Sequence, residues 1–207
     1  MMPMTSRFDK LNNLSMDYSK YFGEMALTDD QKKQRIEFSK KMEDVMLFLF
    51  ELLDVMADFG NKDEEYVKKE IATRYLSVLM AYTAIDDFFK MYADYFAEET
   101  LRTTLENIDA EWITSNDRAK LIAENEANTS LNRVDYINAV ASGKTRKQWI
   151  TMKDYRVRKT HQEIDNKVLP IDGVFIVGDS MMYFPKDTSL GADMKEIANC
   201  RCSVKYL

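Results

Sequence analysis

Apolar residues settle into three- and four-residue steps after Thr28-Asp29-Asp30, with Ile36, Met42, Val45, Met46, Leu49, Leu53 and Met56 on one helical face. The capping triplet and the Gly60-Asn61 stop predict a long helix over about residues 28–59. Leu47, Phe48, Phe50 and Leu52 make its second half apolar on nearly every side. That half suits the centre of a single-chain bundle, with burial of Phe48 and Phe50 against another chain as the alternative. A second stripe, Val67, Ile71, Tyr75, Val78, Tyr82, Ile85, Phe89, Tyr92 and Phe96, predicts a helix over about 64–98. Leu101, Leu105, Ile108 and Trp112 predict a third helical stretch. Thr114-Ser115-Asn116-Asp117 breaks it and caps a fourth, in which Leu121, Ile122, Leu131, Val134, Ile137 and Val140 are apolar. Upstream of all these, residues 1–27 place Phe8, Tyr18, Tyr21 and Phe22 among polar residues and read as an N-terminal arm or short helix.

At Ser142-Gly143-Lys144 the period changes. Gln148-Trp149-Ile150-Thr151-Met152 is β-prone, and Asp154 is placed to cap a helix running through His161. Val174-Phe175-Ile176-Val177, the Gly178-Asp179 turn and Met181-Met182-Tyr183-Phe184 read as a hairpin. A short helix over 192–197 leads to a last strand over 200–206. The predicted fold class is α+β: an arm (1–27), a long-helix bundle or hairpin (28–143), and a small module with short antiparallel strands (144–207).

Composition narrows the function classes. Apolar residues make up 45% of the 207 and charged residues 31%, enough for a core in a soluble chain. No apolar run approaches the roughly 20 residues that cross a bilayer, and no signal peptide is apparent, so no membrane partner is expected and synthesis is placed in a cytoplasm. The net charge of −6 is uneven: residues 144–207 hold 12 Lys/Arg against 8 Asp/Glu, and residues 1–143 hold 17 against 27. A dedicated DNA binder is usually strongly basic, so DNA contact by the tail is allowed but not demanded.

The candidate chemistry lies in the last third, which contains the single histidine, His161, and both cysteines, Cys200 and Cys202. On an extended strand residues two apart point to the same side, so Cys200 and Cys202 would present two thiols on one face. With His161 they offer three donors of a tetrahedral zinc site. Were 154–166 helical, Asp154 and Asp165 would lie on the histidine's side, each as fourth ligand or as orienter of the imidazole. The alternative is a structural histidine beside two small buried residues of a core strand. Asp154, Glu163 and Asp165 offer a further alternative as ligands of a hard divalent cation, against their role in a charge-balanced surface helix.

Together these residues resemble the phage Mu F-like head morphogenesis, or minor capsid, proteins. The pattern is Trp149-x-Thr151-x-x-Asp154-x-Arg156-Val157-Arg158-x-x-His161, then Asp165-Asn166, Phe175, Phe184-Pro185-Lys186-Asp187, and the distinctive Asn199-Cys200-Arg201-Cys202. Asn166 stands where the family often has glycine of Asp-Gly, and Lys186 where it has the glycine of Tyr-Pro-Gly-Asp. Glu124-Asn125-Glu126 occupies the family's Arg-Thr-Glu, keeping only the last residue. The resemblance spans about residues 115–207. It implies a virion component of phage or prophage rather than an enzyme: a protein of the head interior that accompanies the portal protein and other capsid proteins into the prohead, with DNA packaging or delivery as its stage. The alternatives are a metal-dependent phosphodiesterase or nuclease-like module with His161 as base or ligand and Arg156 and Arg158 on phosphate, and a nucleic-acid-binding module.

Overall fold

A computed structural model describes residues 18–58 and 63–207. Phe8 and the Gly60-Asn61 stop lie outside the described residues. The chain forms α1 (Tyr18–Gly23), α2 (Asp29–Asp58), α3 (Glu64–Leu79), α4 (Asp87–Glu106), a 3-10 turn (Glu111–Thr114) and α5 (Asn116–Ala141). Then come β1 (Arg146–Ile150), α6 (Lys159–Gln162), β2 (Val168–Pro170), β3 (Phe175–Val177), β4 (Ser180–Met182), α7 (Met194–Ile197) and β5 (Ser203–Tyr206). The fold is α+β, as the sequence predicts.

Capping chemistry sets the helix starts. Thr28 and Gln31 exchange bonds, Gln31 N–H donating to Thr28 Oγ1 (3.2 Å) and Thr28 N–H to Gln31 Oε1 (3.0 Å), a capping box that opens α2. Asp63, Asp86 and Ser115 accept from Tyr66, Phe89 and Arg118 N–H at the heads of α3, α4 and α5. Gly143, at φ +74°, closes α5: its N–H donates to Val140 O, and Lys144 N–H reaches back to Ala139 O. That pair of bonds is a Schellman motif, and the left-handed backbone it needs is open to glycine without a Cβ penalty.

The single helix expected over 64–98 is two. The chain turns at 80–86 and restarts at the Asp86 cap, and Leu101 and Leu105 belong to the second helix, α4. The apolar rhythm crosses the turn undisturbed because Tyr82 and Ile85 still pack against the core. Trp112 is likewise no helical core residue: it sits on the 3-10 turn, 58% exposed. The predicted arm includes α1, whose Tyr18 and Phe22 are buried against the helices. Phe50 is buried in this chain's own core, and the Arg74 guanidinium lies 3.6 Å from the centre of the Phe48 ring.

Two apolar cores result. The larger joins α1 to α5; the smaller comprises Trp149, Ile164, Phe175, Val177, Met182, Ile197, Cys200 and Cys202. Around the smaller core, β1 pairs antiparallel with both β2 and β5, with Trp149 opposite Val204, while β3 and β4 form a separate hairpin with Ile176 opposite Met181.

Candidate metal centre and its support

Local backbone chemistry, rather than the expected helix, delivers His161. Asp154 accepts from Arg156 N–H (3.0 Å), and Val157 N–H bonds to Asp154 O, so 154–158 form turns and only Lys159–Gln162 is helical. The cysteines precede the final strand instead of lying on it, since β5 begins at Ser203. Their thiols nonetheless converge: Cys202 Sγ is 3.4 Å and Cys200 Sγ 3.6 Å from His161 Nδ1. All three residues are at most 3% exposed. Arg201, between them, turns outward to Asp154 Oδ2 at 2.6 Å.

Asp154 and Asp165 stay out of the group. Asp154 is held by Arg201, while Asp165 accepts Thr151 N–H and the Asn166 amide, both at 2.8 Å. Among the described residues, His161, Cys200 and Cys202 are the group of histidine, cysteine and acidic side chains close enough to share a cation. The carboxylate that does reach the histidine is Glu196, which the sequence does not single out. Its Oε2 lies 3.1 Å from His161 Nε2 and accepts from Thr160 Oγ1 at 2.8 Å. Gly178, at φ +58°, makes room for it, because a Cβ there would come within 2.9 Å of Glu196 Oε1. A hydrogen on Nε2 directed at Glu196 leaves the Nδ1 lone pair facing the thiols, the arrangement by which a carboxylate behind a ligating imidazole orients it. Trp149 packs edge-on against the imidazole, ring centres 5.7 Å apart.

The electrostatics follow the same geometry. The hydrogen bond from Cys202 holds the Cys200 thiol well below its ordinary range, overcoming burial, and His161 adds to the effect. Cys202 is pushed up by that same bond and by burial. Burial alone would lower His161, but the bond and charge of Cys200, with Glu196, outweigh it and raise its pKa.

One face of α5 ties this site to the helices. Asn128 Nδ2 donates to the backbone oxygen of Cys200 and Asn132 Nδ2 to that of Pro185, both at 2.9 Å. Arg35 of α2, fully buried, donates in turn to Asn132 Oδ1 and Asp135 Oδ2 at 2.8 Å. Asn125 completes the stripe. Its Oδ1 accepts Lys186 Nζ (2.8 Å) and Asn199 N–H (3.1 Å), and its Nδ2 donates to Asn199 Oδ1 (2.9 Å). Asn199 adopts φ +54°, a conformation asparagine tolerates better than most residues, and so turns the chain into the two cysteines. Glu126, the retained acidic residue, accepts from Tyr75 of α3 and Tyr92 of α4 at 3.1 Å each, joining three helices in the interior. Burial raises its pKa and lowers that of buried Lys186, its electrostatic partner.

A family model described as phage Mu protein F like protein matches residues 69–205, about two thirds of the chain. The chain belongs to the phage Mu F-like family. No curated protein and no solved structure matches it. The match begins inside α3, well upstream of the resemblance at 115–207, so α4 and α5 are part of the family's region together with the module. This is a family of phage head morphogenesis proteins, which places the chain among components associated with capsid assembly. No helix among the described residues is long and apolar enough to cross a membrane.

The Mu F-like pattern gains a physical reading here. Asn166 and Lys186, which stand at glycine positions of that pattern, both hold a left-handed backbone, at φ +63° and +67°. That is the backbone conformation a glycine takes most easily. At Lys186 the added side chain is buried and bonded to Asn125, itself a departure from the pattern, so these two changes form one contact.

Apart from this site, an apolar groove of about 810 Å³ runs between α4, the 3-10 turn, α5 and the segment around α7. Met91, Tyr95, Trp112, Leu121 and Met194 line it and are exposed.

Proposed function

We propose that this chain is a minor head protein of a phage or prophage, which joins the portal protein and other capsid proteins in the prohead and acts there in DNA packaging or delivery. The observation that carries this reading is the Mu F-like match over residues 69–205, which takes in three helices as well as the C-terminal module. The charge division supports it: an acidic helical part and a mildly basic module suit a protein that meets other proteins and lies near DNA without reading its sequence. The test is to delete the gene from its phage and supply it in trans, with mass spectrometry of purified particles. The protein should co-purify with heads and portal in few copies, and its loss should lower the yield of DNA-filled or infectious particles. Particles that lack the protein, with normal yield on deletion, would overturn the proposal.

A further inference from the structure

His161 Nδ1 faces two sulfur atoms, yet a single ring nitrogen has one hydrogen or one lone pair to offer. A hydrogen bond therefore accounts for one of the two contacts, and the bond between Cys202 and Cys200 sets the other sulfur beside it. A cation accounts for both. In a tetrahedral zinc site, with bonds of about 2.3 Å to sulfur and about 2.0–2.1 Å to nitrogen, nitrogen and sulfur donors lie about 3.5 Å apart. The observed separations of 3.4 and 3.6 Å bracket that edge. Two thiolates and a neutral imidazole balance the charge of Zn²⁺, and this soft donor set suits zinc over magnesium or calcium.

The fourth corner has its own geometry. A cavity of about 20 Å³, room for one water molecule, is lined by His161, Cys200 and Cys202 and bordered by Arg156, Arg158, Asn199 and Arg201. No carboxylate lines it, and the three arginines that border it direct their head groups to Asp154 and to the Ala198 carbonyl, which leaves it to a small neutral or anionic occupant.

We propose that His161 Nδ1, Cys200 Sγ and Cys202 Sγ hold one zinc ion, with Glu196 fixing the imidazole and an exchangeable water or small anion at the fourth position. Binding two thiolates and a neutral imidazole releases to solvent the protons that the two thiols and the imidazole share in the metal-free protein. The site rests on this geometry alone, so it stands or falls separately from the role in head assembly.

The experiment is elemental analysis of the full chain purified without chelator, followed by cobalt substitution. Wild type should carry about one zinc per chain. The Cys200→Ser/Cys202→Ser variant should carry none, and His161→Cys, which keeps a donor in place, should retain it. With cobalt, wild type should show thiolate charge-transfer bands and tetrahedral ligand-field bands, and azide should shift the latter. Wild type that takes up no zinc on dialysis against it, or a double cysteine variant that keeps its zinc, would overturn the site. Ligand-field bands that azide leaves unmoved would overturn the open fourth position. Should the double variant fail to fold, His161→Cys and the cobalt spectra of wild type carry the test.

Discussion

The helical part and the C-terminal module are held together in different ways. Five helices share one broad core, in which Phe38, Met42, Met46, Leu49, Val67, Ile71, Tyr75 and Leu79 are fully enclosed. Burial of this kind stabilises by about 25 cal/mol per Å² of apolar surface and is spread over many side chains. The module's core has eight residues, and two of these are the cysteines. So few apolar groups contribute little against the entropy of ordering the chain. The module relies instead on a few directional contacts: the His-Cys-Cys group, Glu196 behind it, and the asparagines of α5 in front. The helical part can therefore lose one contact and keep its shape, whereas the module cannot.

Trp149→Ala should break the comparison hardest. Trp149 is fully buried between the imidazole and Phe175. Its truncation should cost about 3–5 kcal/mol and melt the module while the helices persist, read as lost near-ultraviolet circular dichroism with far-ultraviolet helical signal retained. Met46→Ala, in the middle of the large core, removes a comparable buried side chain at about 2–5 kcal/mol. Here the helical melting transition itself should fall, which denaturant titration followed at 222 nm would show.

Asn128→Ala sharpens the role of the α5 face. It strips a partner from the buried Cys200 carbonyl and from Arg35, and should cost about 1–3 kcal/mol, seen as a lower midpoint in urea. At the small end, Arg102 lies on the surface between Glu99 and Glu106. Arg102→Ala should shift stability by about 0.5 kcal/mol or less in the same titration.

A pH-dependent contrast comes from Lys147. Its amine is buried with no hydrogen-bond partner among the described residues, beside the rings of Tyr136, Tyr183 and Phe175 at 5.0, 5.1 and 5.5 Å. Burial pulls its pKa to about 8, below the value of about 10.4 in the unfolded chain. Between those values the unfolded state binds more protons, so this group makes stability rise with pH from about 8 to about 10.4. In Lys147→Met that contribution should vanish, and parallel denaturation at pH 7.5 and 9.5 should show a smaller rise than in wild type.

The sequence made the long helices readable because their apolar residues repeat over several turns. It hid the turn at 80–86 for the same reason, since Tyr82 and Ile85 keep the rhythm across it. His161, Cys200 and Cys202 stand out because they are scarce. Glu196 does not: it is a common residue, and its partner lies 35 positions away. Asn125, Asn128 and Asn132 fall on one face of α5, at helical spacing, but asparagines on a helix usually face water. Only the fold, which brings Cys200 to Asn128 across 72 positions, makes that stripe an attachment. The expected helix around Asp154 failed because the aspartate bonds its own turn, a local choice that periodicity does not register.

The most direct test of this two-part picture is hydrogen exchange, followed by mass spectrometry, on wild type and the Cys200→Ser/Cys202→Ser variant. The account predicts lost protection across β1, β5 and the segments between them, with α2 and α3 as protected as before. Equal protection in the module of both proteins, or loss spread evenly through all the helices, would contradict it.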